Sequence, residues 1–168
     1  QPFLRHTGPT LSPFNAWVVQ KGLETLAVRV RTQSANALQI AQWLEQQPAV
    51  ERVFYPGLPS HPQHALAAKQ MSGFAGMISF ELKGGLEAAK KFVQGLKVFT
   101  LAESLGGVES LCDHPAIMTH ATIPREIREK LGVTDENKRL TKKLAAGEYK
   151  ILAKTNRQVL FPTQKINI

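Results

Sequence analysis

The run from Ser12 to Gln47 constrains this chain more than any other. Ser12-Pro13 is a helix start: the serine caps the first turn, and proline takes the first helical position, where its missing N–H costs nothing. Phe14, Trp17 and Val18 follow at helical spacing. Leu26, Val30, Ala37, Leu38, Ala41 and Leu44 then continue a 3.6-residue period. Residues 13–47 therefore read as one long helix, or as two with a kink near Gly22 and Thr25 as the second cap. Arg29, Arg31, Gln33 and Gln39 fall on the wetter faces. A long helix at the start of a small domain acts as a strut to something else.

The remainder alternates between short strands and helices. Gln1–Thr10 is loop-like, with Pro2, Gly8 and Pro9. Val50–Tyr55 reads as a strand stopped by Pro56-Gly57, and His61–Met71 as a helix ended by Ser72-Gly73. Met77–Leu82 is the clearest strand, broken by Gly84-Gly85. Leu86–Leu96 is amphipathic, with Leu86, Ala89, Phe92, Val93 and Leu96 on one side and Lys90 and Lys91 on the other. Val98–Leu101 is a third strand. It leads into a mostly apolar stretch to His120 that is spotted with Glu103, Ser104, Ser110 and Thr119, the mixture expected of a pocket wall. A short charged helix, Arg125–Lys130, ends at Gly132. This order permits a parallel βαβ sheet or a mixed α+β sandwich.

The chain is long enough for one domain with a core of its own. No apolar run reaches membrane-spanning length, and no signal-peptide pattern opens it. The single cysteine, Cys112, fits a reducing, cytoplasmic setting. The net charge of +8 is uneven: residues 136–168 hold eight Lys/Arg against two acids. Such a tail can bind an anionic surface, but it matches no nucleic-acid motif, and a charge run is most often simply solvated. No nucleic-acid or membrane partner is expected.

Three runs carry a resemblance: GPTLSPFNAWVVQKGLETLAVRV (8–30), VERVFYPGLPSHPQHALAAKQMSGFAGMISFELKGG (50–85) and FTLAESLGGVESLCDHPAIMTH (99–120). Together they resemble the C-terminal part of the pyridoxal-phosphate-dependent enzymes of Cys/Met metabolism, among them the cystathionine γ-synthases, the cystathionine γ- and β-lyases and the homoserine sulfhydrylases. The resemblance covers about residues 3–141. It implies an α+β fold: a long connecting helix, then the small C-terminal domain, mainly antiparallel sheet with helices, of a fold type I, aspartate aminotransferase-like protein. It divides the chain into the end of a cofactor domain with its connecting helix (1–47), a substrate domain (48–141) and an atypical basic tail (142–168).

The resemblance also implies chemistry at the α-carbon of an amino-acid substrate such as cystathionine or an O-acyl-homoserine, with pyridoxal 5'-phosphate as electron sink. Glu103, Ser104 and Thr119 match the family's substrate-side residues in its LAESLGG and MTH segments. Arg139, in Arg139-Leu140-Thr141, falls where the family's arginine grips the substrate α-carboxylate, a role suited to a planar, bidentate guanidinium. The Schiff-base lysine has no counterpart here, so no catalytic or cofactor-binding residue is assigned and the chain alone is not expected to hold the cofactor. After Thr141 the likeness stops. The alternative is a catalytically inactive remnant that serves as an assembly or binding module; the family's members form homo-oligomers.

Other residue pairs have blander readings. Cys112 and His114 suggest a nucleophile and base, but no third, orienting group is evident, and a lone cysteine is usually a small buried hydrophobe. His61 and His64 sit three apart on a helix without a third ligand, so no metal site is assigned. Gly106-Gly107 suits a tight turn beside a pocket. Trp17 and Trp43 read as core or subunit-contact residues.

Overall fold

The computed structural model describes residues 10–104, 107–130 and 133, and the backbone of 139–143. The readings placed on Gln1–Pro9, Gly106, Gly132, the side chain of Arg139 and the tail beyond Lys143 lie outside the described residues.

The long helical run is two helices, α1 (Pro13–Glu24) and α2 (Leu26–Glu45). Ser12 caps α1 as expected, accepting the Asn15 N–H at 3.1 Å. The break falls at Thr25 rather than Gly22, and Thr25 makes no side-chain cap. Its hydroxyl instead accepts from Arg29 Nε at 3.1 Å, while Arg29 Nη2 donates to the Gly22 carbonyl at 2.6 Å. One guanidinium thus satisfies a carbonyl that the broken helix leaves without its ordinary partner.

The strands form one sheet in the order β1 (Val50–Phe54), β2 (Met77–Leu82), β5 (Arg139–Lys143), β4 (Leu111–Asp113), β3 (Thr100–Leu101). Three neighbouring pairs are antiparallel and the β3–β4 pair is parallel, so the sheet is mainly antiparallel. Between the strands lie α3 (His64–Gln70), α4 (Gly85–Gln94) and α5 (Arg125–Lys130). The expected strand at 98–101 is reduced to two residues. β4 and β5 were not expected: β4 is three residues long, and β5 carries Arg139, Lys142 and Lys143, which do not read as strand.

The core forms where the second half of α2 meets the sheet. Ala37, Ile40, Ala41 and Leu44 are buried at i, i+3, i+4 and i+7, together with Tyr55, Leu58, Ile78, Phe80 and Leu82. β2 alternates strictly, with Ile78, Phe80 and Leu82 inward. Its turn into α4 places Gly84 at φ 95° and Gly85 at φ 67°, a left-handed backbone that side-chain-bearing residues seldom adopt. α4 then returns Ala89 and Val93 to the core, and Phe92 meets Phe80 edge-on at 5.7 Å.

Tyr55 is fully buried, its hydroxyl 3.0 Å from the Ala75 carbonyl and 3.3 Å from that of Ser34. Burial pushes its pKa up to about 12. Gly57 packs against the Tyr55 ring so closely that a Cβ there would come within 2.5 Å of it. Gly22, in α1, has nothing within 4 Å of such a Cβ.

These two glycines should respond oppositely to the same change. Gly57→Ala should lower stability by about 1–3 kcal/mol through overpacking. Gly22→Ala should raise it by about 0.5–1 kcal/mol by restricting the unfolded chain. Urea melts of both variants test this; equal shifts of one sign would contradict it.

Candidate functional site

Strand polarity brings the candidate residues to one end of the sheet. β3 and β4 run parallel, with Leu101 beside Cys112 and the Ala102 N–H donating to the Cys112 carbonyl at 3.3 Å. Glu103 therefore leaves β3 beside Asp113, the last residue of β4. β5 runs the other way: Thr141 pairs with Asp113, and Arg139, two residues earlier, pairs with Glu81 near the end of β2. The start of β5 thus lies at the end of the sheet where β3 and β4 finish. The Arg139 backbone is there; its side chain lies outside the described residues.

The chain leaves β4 through a succession of turns. The Met118 N–H donates to the His114 carbonyl at 3.0 Å, and the His120 N–H to the Pro115 carbonyl at 2.8 Å. Arg128 of α5 ties down this segment. Its side chain is buried, and Nη1 donates to the Ala116 carbonyl at 2.6 Å. Thr119 is exposed, its Oγ1 2.7 Å from His120 Nδ1. A second tie comes from α2: Gln33, buried rather than on a wet face, donates through Nε2 to the Gly107 carbonyl at 3.3 Å. The long helix is thereby fastened to the loop that follows Ser104.

Glu103, Ser104 and Thr119 all have exposed side chains at this end. Near Glu103 and His120 lies a residue that sequence reasoning passed over. Asp113 is half-buried, and its Oδ1 is buried without a hydrogen-bond partner among the described residues. Its pKa is raised to about 6, chiefly because burial disfavours the carboxylate and next because Glu103 repels it; His120 pulls the other way. The end of the sheet therefore carries two carboxyl groups and an imidazole in electrostatic contact. The only sequence signal for Asp113 was an acidic residue closing an otherwise apolar Leu-Cys pair.

The other candidates fall elsewhere. Cys112 and His114 are both fully buried, with Cys112 in the core cluster. His64 Nδ1 lies 2.7 Å from the Pro56 carbonyl, and His61 Nδ1 accepts the Gln63 N–H at 3.2 Å, so both rings serve the turn they stand in. Among the described residues no three His, Cys, Asp or Glu side chains gather as a metal would need. A groove of about 460 Å³ beside β1, lined by Glu45, Arg52, Phe54 and His61 among others, is at the opposite end of the strand order from Glu103. None of the described helices is long and apolar enough to cross a membrane.

Pyridoxal phosphate, the cofactor implied by the resemblance, needs an enclosed lysine to anchor it. Among the residues whose side chains are described, every lysine except Lys90 is exposed, and Lys90 is paired with Glu87 at 2.9 Å. The described residues do not fit the cofactor, and no step through it is assigned to them.

The raised Asp113 pKa has a definite sign. The folded state holds this proton more tightly than the unfolded chain, so the contribution to stability is complete below about pH 4 and is lost as pH rises through about 6. Asp113→Asn should therefore leave stability unchanged at pH 4. At pH 7.5 it should raise it by roughly 1 kcal/mol, the full shift being discounted for the solvent that still reaches the carboxyl. Thermal melts at the two pH values test this; a stability difference independent of pH would contradict it. Arg128→Met should cost about 2 kcal/mol at either pH by stranding the Ala116 carbonyl.

Comparison with known proteins extends these observations. A family model described as "Cys/Met metabolism PLP-dependent enzyme" matches residues 1–142. Cystathionine beta-lyase of Coxiella burnetii is 59% identical over 128 residues, 76% of this chain and 33% of that one. O-succinylhomoserine sulfhydrylase of Pseudomonas aeruginosa is 50% identical over 133 residues, 79% of this chain and 33% of that one. The crystal structure of cystathionine gamma synthase from Xanthomonas oryzae pv. oryzae in complex with cystathionine is similar, with a TM-score of 0.77 at 50% identity over 82% of this chain and 35% of that chain. The chain spans about a third of the length of the relatives it matches. By this match, over most of its residues, the chain belongs to the pyridoxal-phosphate-dependent enzymes of Cys/Met metabolism.

Proposed function

We propose that this chain is the substrate-side, C-terminal portion of a transsulfuration enzyme of the cystathionine γ-synthase or lyase type. Such an enzyme eliminates or replaces a β- or γ-substituent of a sulfur amino acid or an activated homoserine. The convergence of Glu103, the Thr119 turn and the start of β5 at one end of the sheet is the observation that carries this reading. Arg139 clamps the substrate α-carboxylate, and Glu103, Ser104 and Thr119 line the side of the pocket that meets the rest of the substrate. Fixing the carboxylate fixes which bond at the α-carbon is broken, so the clamp acts by orientation.

The cofactor, and the lysine that anchors it, belong in this reading to the part of the family fold that the chain does not span. Residues 1–47 are the end of the cofactor domain with the connecting helix, 48–141 the small substrate domain, and 142–168 an atypical basic tail. The assembly is a homo-oligomer in the cytoplasm, a location suited to the lone, buried Cys112. A second reading, an inactive remnant acting as an assembly module, is favoured by one observation: α1 buries none of its own residues.

The test joins this chain to the unmatched two-thirds of the Coxiella burnetii relative. The free chain, mixed with pyridoxal phosphate, should develop no near-visible band of lysine-bound cofactor. The chimera should develop one and consume cystathionine. Arg139→Leu in the chimera should raise KM about 100-fold, the loss of roughly 3 kcal/mol in a bidentate, charge-assisted pair. A chimera that binds the cofactor yet leaves cystathionine untouched would favour the remnant, and an unchanged KM would remove Arg139 from the site.

A further inference from the structure

The buried stripe of α2 runs Gln33, Asn36, Ala37, Ile40, Ala41, Leu44. Its last four members are apolar and belong to the core cluster. Its first two are amides. An amide taken out of water is unfavourable unless it is hydrogen-bonded, so an amide where the stripe could have stayed apolar marks a contact that offsets the loss. For Gln33 that contact is the Gly107 carbonyl, 3.3 Å from Nε2 and 74 positions away in sequence. The same turn of α2 is fixed independently. The Ser34 carbonyl receives the Tyr55 hydroxyl at 3.3 Å, and Ala37 is fully buried.

The loop that Gln33 reaches spans residues 102–110 and is held lightly at its base. There the Thr100 N–H donates to the Ser110 carbonyl at 2.9 Å, and the Ala102 N–H to the Cys112 carbonyl at 3.3 Å. β3, which leads into the loop, is two exposed residues at the edge of the sheet. An edge that short resists local opening poorly. Arg139 is placed differently: its strand, β5, is paired on both sides, with β2 and with β4. The spacing between the start of β5 and Glu103 therefore depends on what holds the loop. A displacement of about 1 Å is enough to matter to a bound substrate.

We propose that Gln33 is a positioning residue for substrate selection: by holding the Gly107 carbonyl it fixes the loop that carries Glu103 and Ser104. It touches neither substrate nor cofactor and acts through Gly107. The substrates it favours are amino acids whose side chains extend beyond sulfur, such as cystathionine, over short ones such as cysteine. Only the former reach from a clamped carboxylate to the loop. The selection role rests on the substrate site proposed above, whereas the action of Gln33 on Glu103 does not.

Asp113 reports that action in the full chain without any substrate. Its carboxyl is raised to about 6 by burial first and by Glu103 next, with His120 pulling the other way. It is one of two aspartates in the sequence, so ¹³C-aspartate labelling gives a carboxyl signal that the Asp113→Asn variant assigns. Glu103→Gln should lower the Asp113 titration midpoint, because a repelling charge is gone. Gln33→Leu should lower it too, because that charge moves away. With Glu103→Gln already in place, Gln33→Leu should add no further shift. Gln33→His, which keeps an N–H donor, should restore the native midpoint. Should Gln33→Leu fail to fold, Gln33→Glu, of the same shape but without the donor when ionised, takes its place. A midpoint that ignores the loss of Gln33, or that moves equally with and without Glu103, would overturn the proposal.

In the chimera described above, Gln33→Leu should lower the preference for cystathionine over cysteine in kcat/KM about 10-fold, chiefly through KM for cystathionine. Turnover with an unchanged preference would overturn the selection role. A chimera without turnover counts against the proposed function instead, and the Asp113 titration still decides whether Gln33 positions Glu103.

Discussion

The rest of the structure depends on the contact between the second half of α2 and the inward face of β2. Ala37, Ile40, Ala41 and Leu44 share one buried cluster with Ile78, Phe80 and Leu82 of β2 and with Tyr55 and Leu58. These side chains are removed from water almost completely, at about 1.5–3 kcal/mol for each large one. β2 lies between β1 and β5, and the helix packs on both β1 and β2. It also brings Gln33 to the Gly107 carbonyl, and so a contact made for packing places the loop beside Glu103.

From that anchor the functional end of the sheet follows by strand polarity. A parallel β3–β4 pair beside an antiparallel β5 sends two strands out, and one in, at the same edge. The finish of β3, the finish of β4 and the start of β5 then lie at the same end of the sheet although they are far apart in sequence. Arg128 keeps the middle of this arrangement in place by tying the post-β4 turns to α5. Asp113 is the cost: a carboxyl held where neither solvent nor a described hydrogen-bond partner fully satisfies it, next to a second acid. Groups left in this condition are characteristic of sites that bind or transform something.

Much of this was legible in the sequence where local chemistry and periodicity agreed. Met77–Leu82 alternated cleanly and is the strand expected, and Arg125–Lys130 is the helix expected. Ser12-Pro13 announced α1. What periodicity did not reveal was decided by tertiary contact. Thr25 is a good cap by type, but Arg29 took its hydroxyl, so the helix broke there without one. Gln33 is polar and was assigned to water, yet a carbonyl from 74 residues away claimed it. β5 is rich in lysine and arginine and has no strand signature of its own; it is a strand because β2 and β4 offer it unpaired edges. At the candidate site, Glu103, Ser104 and Thr119 came from the resemblance rather than from any pattern. Asp113 was missed because a raised pKa reflects surroundings that only folding supplies.

The central claim is that this end of the sheet is the substrate-carboxylate half of a transsulfuration site. It is tested most directly by a crystal structure of the chimera with cystathionine bound. The account predicts the substrate α-carboxylate in a bidentate contact with the Arg139 guanidinium at hydrogen-bond distance, with Glu103 and Thr119 along the same side of the substrate. A substrate whose carboxylate is held elsewhere, with Arg139 turned to solvent, would contradict it.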